Sequence, residues 1–105
     1  MQKQNIFTEL PSDLSQEVFE PLIKTDKVLI ERIVSKAHVT PVGQWYDQAH
    51  SEWVMVVQGA AKLEFNDGKT VKLNVGEHIN IAAHVKHRVA WTCEQTETIW
   101  LAVHY

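Results

Sequence analysis

An all-β jelly roll is the fold class predicted by this sequence, and three observations carry the expectation. From Val28 onward the chain breaks into short segments rich in β-branched and aromatic residues, each closed by turn residues. Asn66-Asp67-Gly68-Lys69 reads as a tight hairpin, because Asp-Gly supplies positive backbone angles between twisted strands. Around it the apolar positions alternate: Leu63 and Phe65 face one way, Lys62 and Glu64 the other, and Val71 and Leu73 answer across the turn.

Taken in order, Pro11 to Phe19 reads as a short helix, with Ser12 or Asp13 able to cap its first turn and Pro21 limiting its run. It belongs to an N-terminal arm, residues 1–27, expected to pack on a barrel of residues 28–105. Strands are expected near 28–38, 42–48, 52–58, 61–66, 69–75, 78–82, 87–93 and 97–104, the eight of a jelly roll. Leu63, Phe65, Val71, Leu73, Ile79 and Ile81 are the expected core. The run Trp53-Val54-Met55-Val56-Val57 is apolar on both faces and needs cover on both, as does Trp100 to Val103, so a homodimer is expected.

With 105 residues the chain has room for one domain. A hydrophobic content of 45% beside 22% charged residues excludes a disordered or collagen-like class. No apolar run nears the roughly 18 residues that span a bilayer, and Met1 to Asn5 leads into no signal-peptide core, so a cytoplasmic location is expected. The single cysteine, Cys93, fits a reducing compartment and reads as a small buried residue rather than a nucleophile. A net charge of -3 without a basic run argues against nucleic acid. No serine sits in a triad motif, and the glycines at 43, 59, 68 and 76 serve turns rather than a phosphate loop.

Two half-motifs flank the hairpin. Glu52, six intervening residues and Gly59 form the first, preceded by Tyr46, Gln48 and His50; Gly76 and His87 form the second. They resemble the two motifs of the cupin superfamily, and the chain is similar to its small single-domain bacterial members. The resemblance implies a double-stranded β-helix, the cupin barrel, with an internal pocket. Its usual first motif carries His-x-His where Tyr46 and Gln48 stand, and its second carries proline, glycine and asparagine where Ala82, His84 and Trp91 stand.

Strand parity gives the site its expected form. Tyr46, Gln48, His50 and Glu52 share one face, and His87, Val89, Trp91 and Cys93 share another. If both faces turn inward, Gln48, His50, Glu52 and His87 are the candidate metal ligands, with Tyr46 and Trp91 as candidate cofactor-binding walls. A carboxylate with imidazoles suits Fe, Mn, Ni or Zn. The competing reading has Glu52 and His87 hydrogen-bonding each other inside the barrel. His84, His78, His38 and His104 are read mainly as surface residues, and Arg88 as an outward charge. The leading function is small-molecule binding; the alternative is a metal-dependent dioxygenase, isomerase or lyase using Glu52 and His87 with His50 or Gln48. A third is an interaction protein with a filled barrel.

Overall fold

A computed structural model describes residues 1–105. All eight regular elements are strands: β1 Val18–Lys24, β2 Leu29–Ser35, β3 Glu52–Gln58, β4 Ala61–Phe65, β5 Thr70–Leu73, β6 His78–Ile81, β7 His87–Thr92 and β8 Thr98–His104. They form a five-stranded sheet in the order β1-β2-β8-β3-β6 and a three-stranded sheet in the order β5-β4-β7, with every pairing antiparallel. No helix is long and apolar enough to cross a membrane.

The sheets close on an apolar filling built by the expected alternation. Val54 and Val56 of β3, Leu63 of β4, Leu73 of β5, Ile81 of β6 and Trp100 of β8 are all under 5% exposed. Phe65, Val71 and Ile79 pack against this filling while half-buried. The hairpin forms as a four-residue turn in which the Gly68 amide donates to Phe65 O at 2.9 Å. Only Gly68 takes the positive φ, at 90°; Asp67 instead accepts the Lys69 amide through Oδ1 at 2.9 Å.

Two expected elements are corrected. The helix over Pro11 to Phe19 is absent: Asp13 Oδ1 accepts the Ser15 amide at 3.0 Å in a local turn, and the chain then extends into β1. A short helix has few internal bonds to set against its nucleation cost, whereas Val18 and Phe19 gain a ladder with Val34 and Ile33. Pro21 is tolerated because β1 is an edge strand, and the register shifts just after it. Residues 18–24, placed in the arm by sequence, thereby join the sheet.

The strand expected near 42–48 is the second correction. There the Gln44 amide donates to Pro41 O at 3.1 Å, and Gly43 turns the chain with φ 90°. Only Tyr46 makes a bridge, exchanging backbone hydrogen bonds with His87.

The N-terminal arm crosses the outer face of the larger sheet and is held by one side chain. Arg32 is 6% exposed; its guanidinium donates to the carbonyls of Ile6, Thr8 and Glu9 and grips the Glu20 carboxylate at 2.8 Å.

Candidate functional site

Register across the larger sheet sets the site. Glu52 opens β3 directly opposite His104 on β8, and Glu31 on β2 lies one diagonal step away, opposite Ala102. His104 Nε2 is 2.8 Å from Glu31 Oε1 and 3.6 Å from Glu52 Oε2. His87 reaches in from β7 of the other sheet and places Nε2 3.4 Å from Glu52 Oε1. An imidazole–carboxylate chain, Glu31 to His104 to Glu52 to His87, therefore links the two sheets through side chains no more than 11% exposed.

Hydrogen bonding orients both rings. The His87 Nδ1 position lies 2.8 Å from Val85 O, so that nitrogen carries the proton and Nε2 faces Glu52. The His104 Nδ1 position lies 3.0 Å from His50 Nε2, which leaves His104 Nε2 to donate to Glu31. Burial opposes charging His87, but the Glu52 carboxylate and the Val85 carbonyl outweigh it and raise its pKa above 6.5. Burial also raises Glu17, against the Ser35 hydroxyl that donates to its carboxylate.

These groups line a cavity of about 90 Å³. Its apolar wall includes Ile33, Val54, Leu63, Ile81 and Val89, and Glu17, Tyr46 and Gln48 complete the polar side. A second, more open cavity of about 200 Å³ shares Glu17, Tyr46 and Val89 and is walled by the 38–46 loop. Those three residues stand between an inner chamber and an outer one.

The structure brings Tyr46, Gln48, Glu52 and His87 onto one cavity wall, although Tyr46 and Gln48 come from a loop rather than the expected strand, and it displaces two candidates. Trp91 leaves the cavity because β7 carries a bulge: Val89 pairs with Leu63 and Trp91 with Lys62, so Ala90 is the extra residue. Parity reverses there, and the Trp91 ring lies on the outer side under Lys72 Nζ at 5.7 Å. His50 is exposed, outside the cavity wall, and meets the back of His104.

His104, Glu31, Glu17 and Trp100 are the site residues that sequence reasoning missed. The first had a readable signal, since Trp100, Ala102 and His104 share parity and a buried Trp100 turns His104 inward. Glu31 interrupts an apolar strand, and Glu17 was hidden in the expected helix.

The remaining polar residues turn elsewhere. Arg88 points away from the cavity as expected but is 9% exposed, bound to Glu64 at 3.0 Å and to Thr40 O. His84 holds φ 64° where the resembled motif has glycine, and its ring meets Asp47 at 2.9 Å. His78 is exposed beside Trp53, with ring centroids 5.2 Å apart.

The four candidate ligands named from sequence, Gln48, His50, Glu52 and His87, do not assemble as one divalent-metal site. Burial, followed by the negative Glu17, raises the Tyr46 pKa above 10.0 and keeps it a neutral phenol. Gln48 offers only an amide, and His50 is taken up by His104. No group of three or more His, Cys, Asp or Glu side chains is arranged to hold an ion.

A β-barrel of two antiparallel sheets enclosing a small polar-floored cavity is the class that this fold and site define. The chain belongs to the cupin family: the cupin domain matches residues 36–104. A putative mannose-6-phosphate isomerase from Ralstonia eutropha JMP134 is 39% identical, over 99% of this chain and 97% of that one, with a TM-score of 0.94. A cupin superfamily protein from Desulfitobacterium hafniense DCB-2 is 14% identical, over 90% of this chain and 82% of its own, with a TM-score of 0.74. HppE, as its cobalt(II) form in complex with Tris buffer, is 17% identical over 85% of this chain and 53% of that one, with a TM-score of 0.71. The last two likenesses are of fold alone. No curated protein matches the chain.

Proposed function

We propose that this protein is a small-molecule-binding cupin, its ligand held between an apolar wall and the Glu52–His87 pair. The observation that carries this reading is a pair of nearly buried, opposite-sheet groups meeting at the cavity with 3.4 Å between them. A close charge-assisted bond is nearer 2.8 Å, about 0.6 Å shorter. Buried ion pairs stabilise only when their remaining valences are filled. A ligand atom reaching both groups would fill them, with protonated His87 donating and Glu52 accepting.

The name of the Ralstonia relative brings a second reading, isomerisation of a sugar phosphate. An adjacent acid and base suit the proton transfer such a reaction needs. What counts against the phosphate is the lining, which holds no Lys or Arg.

Saturation-transfer NMR with a fragment library on the intact chain tests the binding reading. Fragments are expected to bind competitively and to lose at least tenfold in affinity to a Glu52→Gln, His87→Gln double variant. A chain that takes no fragment, or takes them unchanged in the folded double variant, would instead be a filled barrel acting through its surface.

A further inference from the structure

The charge of the cavity comes largely from outside the cupin motifs. Glu17 and Glu31 both precede the matched residues 36–104, and both line the cavity beside Glu52. Three carboxylates therefore face two imidazoles, His87 and His104, with no lysine or arginine on the wall. The buried guanidiniums are engaged elsewhere, Arg32 with the N-terminal arm and Glu20, Arg88 with Glu64 and Thr40. With all three carboxylates ionised the lining is one negative charge in excess even when both imidazoles are protonated, and a cation entering among the carboxylates favours that ionised state against the burial that raises Glu17. In a poorly solvated cavity that excess repels an anion and attracts a cation far more strongly than it would in water.

A second observation concerns a donor rather than a charge. Trp100 is 3% exposed, lines the cavity, and has its indole Nε1 buried without a hydrogen-bond partner in the protein. Indole N–H only donates, and a buried donor left alone is costly. An oxygen brought to that N–H by a ligand would satisfy it. Phe19, Tyr46 and Trp100 also present aromatic surface, which favours a cation over an anion.

Resting on the small-molecule reading, we propose that the cavity takes a small hydroxylated amine and excludes phosphates and carboxylates. The ammonium group lies among Glu17, Glu31 and Glu52, and the ligand oxygen accepts from Trp100 Nε1. Size supports a compact ligand. A cavity of roughly 150 Å³ holds benzene, with six heavy atoms, so about 90 Å³ suits about four, and the adjoining cavity of about 200 Å³ leaves room for the end of a five-atom chain.

The test uses one three-carbon scaffold with three charges: 3-aminopropanol, propane-1,3-diol and 3-hydroxypropanoate, with inorganic phosphate as a fourth probe. Each is titrated into the intact wild-type chain while the Trp100 indole NMR signal, assigned through Trp100→Phe, is followed. The amine is expected to shift that signal saturably and to bind at least tenfold more tightly than the diol. Neither anion should shift it. Glu17→Gln and Glu31→Gln should each weaken amine binding at least threefold, with thermal melts confirming the fold.

Diol, hydroxypropanoate or phosphate binding as tightly as the amine would overturn the charge selection and leave the small-molecule reading standing. Amine affinity unchanged in both folded Glu variants would also overturn it. Silence from all four probes would overturn this proposal, and the fragment screen then decides separately whether the barrel binds anything.

Discussion

At His87 three influences compete: burial disfavours its charge, while Glu52 and the Val85 carbonyl favour it and prevail. Its folded pKa lies above 6.5, so the native state holds the proton more tightly than the unfolded chain does. The resulting stability is complete below about pH 6.5 and is lost as pH rises through the higher folded value. Denaturant melts across this window should show the wild type losing its advantage over His87→Gln as pH rises, and NMR should place the His87 midpoint above 6.5. A gap that widens with rising pH, or a midpoint below the reference, would mean that burial dominates. Glu52 and His87 were legible from their places in the two half-motifs. His104 was harder to see, because its role depends on a cross-strand neighbour that no local pattern names.

Among the elements, the β3–β4 turn has the least freedom. Gly59 holds φ 80°, and a Cβ there would lie 2.5 Å from Thr98 Oγ1 and 2.9 Å from Thr98 Cα at the start of β8. The second contact is with backbone, so a rotamer change cannot relieve it. Gly59→Ala should combine left-handed strain with this clash and cost about 2–4 kcal/mol, read as a fall in the denaturant midpoint. A loss under about 0.5 kcal/mol would show that β8 gives way easily. The same scale explains two misreadings. Period-2 parity holds from Glu52 to Val56 in β3 and from Trp100 to His104 in β8 but fails at Val57 and at Ala90, where one looped-out residue moves Trp91 to the outer face. Similarly, Pro11 to Phe19 has helix-compatible punctuation, yet the β2 edge offers Val18 and Phe19 a ladder that an isolated turn of helix lacks.

For the whole molecule, the outer face of the five-stranded sheet leaves Trp53, Met55, Val57, Leu101 and Val103 half-buried. We propose a second copy of the chain as the cover for this face. Sedimentation velocity at micromolar concentration should then give a dimer, and Trp53→Glu should release monomers or precipitate the protein. A wild type that sediments only as monomer would remove the proposal. Arg32 already anchors the N-terminal arm across part of the same sheet through three carbonyls, so the remaining apolar strip is what a partner would meet.

The sequence by itself determined the all-β class, the 65–69 hairpin and most of the apolar filling, together with the inward placing of Glu52 and His87. Each of these depends on short-range rules: alternation at period two, turn chemistry, and motif spacing. Tertiary structure alone decided that β1 replaces the expected helix, that Trp91 and His50 leave the cavity, and that Glu17, Glu31, His104 and Trp100 enter it. Those outcomes depend on which strands become neighbours and in what register, and pairings such as Glu52 with His104 join residues that local patterns treat as unrelated.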